Sequence, residues 1–175
     1  MKKILETERL YLREFTIEDA ANMLEWNKDT RVTRYLERDP IKTIEESAQR
    51  LKTVIISQYE DHGIGRWAVH LKSNDELIGW CGIKYSEKDE AVTLGYGFFH
   101  KHWGNGYATE AAKACLDYGL NVLKIERIIA KAAKENHASI AVMKKLGMKY
   151  WKDDMCAHDP AEVYLIDVGR PTSDV

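Results

Sequence analysis

Gly104 and Gly106 stand one residue apart in Trp103-Gly104-Asn105-Gly106-Tyr107-Ala108, where an alternating apolar stretch gives way to a helix-forming one. Glycines at that junction are suited to holding an anion. The first turn of a helix has backbone N–H groups without partners, and the helix dipole adds partial positive charge there. A residue without Cβ lets a diphosphate come close to the backbone, so no lysine or arginine has to neutralise it. Other readings compete. A phosphate loop of the form GxxxxGK[ST] needs a lysine that does not follow these glycines. A dinucleotide fingerprint GxGxxG needs a third glycine where Thr109 stands, after the first strand of a βαβ unit, and the strands before it read as antiparallel. A tight strand-to-helix turn that binds nothing is the plainest reading.

Two neighbouring features bear on the choice. Gly95-Tyr96-Gly97 lies inside the preceding strand, where glycine marks a bulge or a close backbone approach. A strand splayed there offers N–H and C=O groups to an extended, amide-bearing ligand. Asn136-His137-Ala138-Ser139 opens a later helix, where Asn136 or Ser139 is equally suited to capping it.

The elements around these residues follow from period and punctuation. Arg9–Phe15 alternates as a first strand. Thr16 caps a helix carrying Ala20, Met23 and Leu24. Thr43-Ile44-Glu45-Glu46 is a capping box, and Ile44, Ala48, Leu51 and Ile55 form one apolar stripe, so Thr43–Tyr59 is a helix. Strands are expected over Arg66–Lys72, Glu76–Tyr85 and Ala91–Phe99. A helix over Thr109–Leu123, a strand over Arg127–Ala133 and a helix over Ala138–Leu146 come next, with Gly147 ending the last helix. Met148–Met155 and Val163–Val168 complete the set. The three prolines, Pro40, Pro160 and Pro171, are assigned to turns or the tail. The order predicts an α/β (α+β) fold: a mixed sheet, antiparallel early and with at least one crossover helix late, and about four helices.

The 175 residues suffice for one domain, and no linker or repeat divides them, so residues 1–175 are read as one unit. A formal charge of −2 gives no basic field for nucleic acid. No apolar run reaches the roughly 20 residues of a membrane span, and the charged N-terminus does not read as a signal peptide. Cys81, Cys115 and Cys156 have no CxxC spacing and read as reduced, with Cys115 in the core; a cytoplasmic protein follows.

The run HWGNGYATEA, followed by NHASIAVMKKLGM, resembles the GNAT superfamily of acetyltransferases, and more narrowly its Rim-type branch of ribosomal-protein N-terminal acetyltransferases. TERLYLREFTIEDA and WNKDTRVTRYL resemble that branch too, so the likeness covers roughly Thr7 to Asp167. The signature Q/R-x-x-G-x-G/A maps to Lys101-His102-Trp103-Gly104-Asn105-Gly106, with Lys101 departing from Gln/Arg. The resemblance implies a twisted, mostly antiparallel sheet splayed in the middle, between the strands ending near Phe99 and Ala133, with acetyl-CoA in the gap and no metal. It implies that Phe98, Phe99 and His100 face the pantetheine arm and that Lys101 and Trp103–Ala108 (Trp103, Gly104, Asn105, Gly106, Tyr107, Ala108) hold the pyrophosphate. Asn136 would bond the arm, Ser139 would lie near the sulfur, and Lys144 or Lys145 would reach the adenine-side phosphates. A homodimer is implied by the branch alone.

The implied reaction is direct acetyl transfer to a primary amine, either a protein N-terminal α-amine or a small-molecule amine. An alkylammonium near pKa ~10 must lose its proton, the thioester oxygen needs a hydrogen-bond donor, and the leaving thiolate gains from an acid. Met143 stands where many members carry a tyrosine acid, so Ser139 becomes the candidate acid. Tyr96, between its glycines, is a second candidate facing the acceptor pocket. Glu110, Glu14, Glu25, water and backbone carbonyls stay open as routes for the amine proton. His100 and His102, and likewise His62, His70, His137 and His158, lack a metal-ligand pattern. Trp26, Tyr35, Trp67 and Trp80 are divided between an acceptor wall and the core. A polyamine or aminoglycoside acceptor would require Glu25, Asp29, Glu37 and Asp39 to converge. The reading from a different class is an acyl-CoA-binding sensor or partner-binding module with weak catalysis.

Overall fold

A computed structural model describes residues 3–35, 40–156 and 158–168. Its centre is one eight-stranded sheet in the order β1-β2-β3-β4-β5-β6-β8-β7. The strands are β1 (Lys3–Glu6), β2 (Leu10–Arg13), β3 (Arg66–Leu71), β4 (Leu77–Ser86), β5 (Ala91–Phe98), β6 (Arg127–Ala133), β7 (Lys149–Cys156) and β8 (Asp159–Asp167). Every neighbouring pair is antiparallel except β5 and β6. A parallel pair needs a crossover, and helix α5 (Tyr107–Asp117) supplies it.

Opposed residues of an antiparallel pair share a face, so register sorts the side chains. Trp67, Cys81 and Tyr96 lie in one row, and Ile83 and Leu94 in another, on the face covered by α5. Ala68, Trp80 and Gly97 lie on the opposite face. That face is covered by α1 (Ala20–Lys28) and by a long helix with three parts. Its parts are α3 (Ile44–Arg50), a π-helical stretch over Leu51–Ile56, and α4 (Ser57–His62). Gly63 ends it with φ 68°. A single turn, α2 (Thr30–Thr33), and the late helix α6 (His137–Lys145) complete the helices.

Several expectations need correction. The edge strand β1 was not foreseen, because four residues with two charges carry no alternation signal. Ile44 is 51% exposed and does not belong to the apolar stripe, because it opens the helix at the rim. The second long helix begins at Tyr107, two residues early, and ends in a π turn over Tyr118–Val122. Pro160 lies inside β8, opposite Met155 beside the hairpin turn, where a strand's first residues tolerate proline. Pro171 lies outside the described residues. Cys81 and Cys115 are free and fully buried, with their sulfurs 3.6 Å apart. No helix among the described residues is long and apolar enough to cross a membrane.

Candidate active site

The sheet is forked. β5 and β6 pair only at Val92–Ile128 and Thr93–Ile129, and beyond those rungs the strands separate. Leu94–Phe98 therefore has β4 on one side and, among the described residues, no strand on the other. A cavity of about 1640 Å³ runs through this opening. That exceeds the roughly 300–1,000 Å³ of an ordinary small-molecule site, so two substrates have room to meet.

On the α5 face the cavity is walled by Trp103, Gly104, Gly106, Tyr107 and Ala108 and by the start of α6. Gly104 and Gly106 have φ of 79° and 80°, the left-handed region. A Cβ on Gly104 would meet nothing within 4 Å, so conformation rather than space demands glycine there. The backbone N–H groups of residues 104–109 have no hydrogen-bond partner among the described residues. Six such donors, two of them on left-handed residues, form a concavity at a helix N-terminus whose geometry suits an anion.

The concavity is braced. The Trp103 indole donates to the Phe98 carbonyl at 2.9 Å, fixing the loop to the strand end. Arg9 donates to the Asn105 carbonyl at 3.0 Å and lies over the Tyr107 ring. Its guanidinium also meets Glu110 at 2.6 Å, and Thr7 Oγ1 donates to the same carboxylate at 2.6 Å. Burial raises the Glu110 pKa, but the hydrogen bonds from Thr7 and Arg9 outweigh it and leave the carboxyl below its ordinary range. Glu110 is thus a brace, tied to residues some hundred positions away, which no local pattern announces. Phe99, His100, Lys101 and Asn105 do not line the cavity. Lys101 and His102 bond Glu76 at 2.5 and 3.2 Å, and His100 packs on Trp103. No group of three or more His, Cys, Asp or Glu among the described residues is arranged to hold a metal.

Asn136 caps α6, its side-chain oxygen accepting from the Ser139 N–H at 3.2 Å. The Ser139 hydroxyl lines the cavity with no partner among the described residues. Tyr96 points to α6 and not to the opposite, acceptor-side face: its hydroxyl donates to the Ser139 carbonyl at 3.0 Å. The register puts Tyr96 with Cys81, which forces that direction. Burial pushes its phenol pKa upward, so it stays protonated. Met143 and Lys145 line the cavity, and Lys144 does not.

On the opposite face the cavity continues under the long helix, past Trp26, Trp80, Arg50, Gln58, Arg66 and Lys84. Gly95 and Gly97 belong here, and β5 holds unbroken register with β4, so neither marks a bulge. A Cβ on Gly97 would come within 2.6 Å of Trp26 and 2.8 Å of Trp80. One on Gly95 would come within 2.7 Å of the Arg66 guanidinium. Trp67 is a core residue under α5, and Tyr35 lines the cavity. Asp29 is clamped by Arg31, whose hydrogen bonds lower it to about 2, and Glu25 pairs with Lys28 at the surface. Neither carboxylate lines the cavity, and Glu37 and Asp39 lie outside the described residues.

Comparison with known proteins gives the family and the fold. The profile of the acetyltransferase (GNAT) domain matches residues 9–149. The chain is 31% identical over 166 residues to p20 of Bacillus licheniformis, an uncharacterized N-acetyltransferase, covering 94% of this chain and 92% of that one. A GNAT-family acetyltransferase of Bacillus anthracis has a similar structure, with a TM-score of 0.78, 27% identity, and coverage of 95% of this chain and 98% of that one. The ribosomal L7/L12 α-N-protein acetyltransferase RimL, solved with coenzyme A, superposes with a TM-score of 0.81 at 15% identity, covering 95% and 98%. That last likeness is one of fold.

Proposed function

This chain belongs to the GNAT acetyltransferases, and on that premise we propose that it moves an acetyl group from acetyl-CoA directly to a primary amine. The row of unpaired N–H groups over residues 104–109, at the mouth of a forked sheet, carries the reading. These donors and the α5 dipole hold the pyrophosphate. The free edge of β5 receives the amide-bearing arm, with the Asn136 amide nitrogen and Lys145 as further contacts. Acetyl-CoA supplies the activated acetyl group.

The chain's own residues then divide the work. A backbone N–H of β5 near Phe98 is the oxyanion donor, because that edge has no strand partner. Ser139 and Tyr96 are hydroxyls at the mouth of the fork, and one of them donates a proton to the leaving thiolate. The amine enters from the opposite face, past the packed indoles of Trp26 and Trp80, whose apolar wall helps to exclude water. Positioning two reactants across one opening supplies much of the rate. Within this reading the whole chain acts as one cytoplasmic acetyltransferase domain, of Rim type and forming a homodimer, with a peptide N-terminus or a small amine as acceptor.

Calorimetric titration with acetyl-CoA, together with CoA release from a panel of peptide N-termini and small amines, tests it. We expect saturable binding and amine-dependent release. No acetyl-CoA binding would overturn the reading. Binding with no turnover on any amine would leave a binding module instead. Glu110→Gln should raise KM for acetyl-CoA about three- to tenfold with kcat nearly unchanged, since the brace acts on the loop and is partly exposed.

A further inference from the structure

The acceptor side of the cavity is cationic in a way its own carboxylates do not balance. Arg66, Gly82 and Gly95 stand in one row across β3, β4 and β5, with Lys84 and Thr93 in the adjacent row on the same face. Gly95 leaves the space that the Arg66 guanidinium fills. It donates to the Gly82 carbonyl, to the Thr93 carbonyl at 2.7 Å and to the Thr93 hydroxyl at 3.1 Å. All three acceptors are neutral, so they orient the charge without cancelling it. Arg50 reaches the same wall from the end of α3.

The carboxylates lining the cavity are engaged elsewhere. Asp89 is held by Lys131 at 3.1 Å, and Glu135 pairs with Arg34 at 3.3 Å. Among the described residues, Arg50, Arg66 and Lys84 make no ion pair. Half-buried cations left together are costly, because burial weakens their hydration and each repels the next. Burial, with Arg66 and Arg50 nearby, outweighs the attraction of Asp89 and lowers the Lys84 pKa, and burial pushes Arg66 down to about 10. An anion arriving between them would relieve both costs. The Gln58 side-chain oxygen lines the same wall, buried and without a donor, and suits an N–H of the same molecule.

We propose that the acceptor carries an oxyanion beside its amine, and that Arg50, Arg66 and Lys84 hold that oxyanion while the amine points into the fork. The sheet separates this cluster from the pyrophosphate concavity, which lies on the α5 face. A carboxylate on an amino-acid-like amine and a phosphate on a phosphorylated amine share this chemistry. Polyamines, carrying only positive charge, are repelled. The proposal rests on the acetyltransferase reading and gives it a substrate class.

The test uses matched amines: glycine and β-alanine with their amides, phosphoethanolamine with ethanolamine, and spermidine. CoA release and calorimetric binding to the protein–CoA complex are read together, so a panel without turnover still decides. We expect each anionic amine to exceed its neutral match roughly tenfold or more in kcat/KM or affinity. Carboxylate and phosphate arms distinguish the two sources. Lys84→Met and Arg50→Gln, made separately, should each reduce that preference severalfold, while Lys84→Arg keeps it. KM for acetyl-CoA should not move in any of them. Neutral amines or spermidine matching the anionic ones would overturn the proposal, as would variants that lower both classes equally. Failure to bind acetyl-CoA would instead overturn the reading beneath it.

Discussion

Replacing Gly104 and Gly106 together by alanine is expected to weaken acetyl-CoA binding by about 100-fold while the protein stays folded. Both residues hold left-handed φ near 80°, where an L side chain costs roughly 1–2 kcal/mol each. Space is not the obstacle. A Cβ on Gly104 meets nothing, and one on Gly106 lies 3.6 Å from the end of the flexible Arg9 side chain. The chain can escape the strain by rotating these residues to negative φ, and then the N–H groups of residues 104–109 no longer converge. The loss therefore falls on the ligand rather than on the core. Calorimetry with acetyl-CoA and a thermal melt separate the two, and an unchanged Kd would show that the concavity does not bind the cofactor.

The second large effect is structural. Arg13 and Asp19 form a bidentate pair at 2.7 Å, each side chain only 6% exposed. Asp19 also accepts from the Thr16 N–H at 2.9 Å, fixing the entry to α1. Asp19→Asn should cost about 3–5 kcal/mol, because it strands a buried guanidinium. Replacing both, as Arg13→Met with Asp19→Leu, should restore much of the loss. The pH dependence carries a sign. Burial raises the Asp19 pKa, but the hydrogen bonds from Arg13 and Thr16 outweigh it, so the folded value lies below the ordinary one. Its stabilisation is complete above the unfolded pKa of about 3.9 and drains away as pH falls through the lower folded value. Urea midpoints at pH 7 and pH 3 should therefore differ less for Asp19→Asn than for the native protein. Equal pH sensitivity in the two would contradict this account.

The sequence disclosed the elements better than the connections between them. The expected strand Arg127–Ala133 coincides with β6, since a mostly apolar stretch stands there between clear breaks. The glycine turn before α5 is legible because glycine spacing at a strand-to-helix junction is a local signal. The faces were harder. Tyr96 between two glycines gave no hint that its hydroxyl would bond α6, because which face it takes depends on register with β4. Arg50, Arg66 and Lys84 come from three separate elements, and no spacing links them. The Arg9–Glu110 brace spans 101 positions. Pattern reading stops where side chains meet through the fold rather than along the chain.

The fork has a mechanical consequence. Beyond the rungs at Val92 and Thr93 the sheet is two leaves, β1 to β5 and β6 with β8 and β7, and each leaf is contiguous in sequence apart from its covering helices. A hinge of two rungs transmits little shear, so the leaves depend on α5, on the shared core, on the Tyr96–Ser139 and Asp89–Lys131 contacts and on whatever fills the gap to act as one body. A ligand at a hundred times its Kd adds about 2.7 kcal/mol to the filled form. The cofactor is then a stitch as well as a reagent. Each turnover would draw that stitch out and sew it back, so the empty enzyme between cycles is held across the fork only by its own contacts.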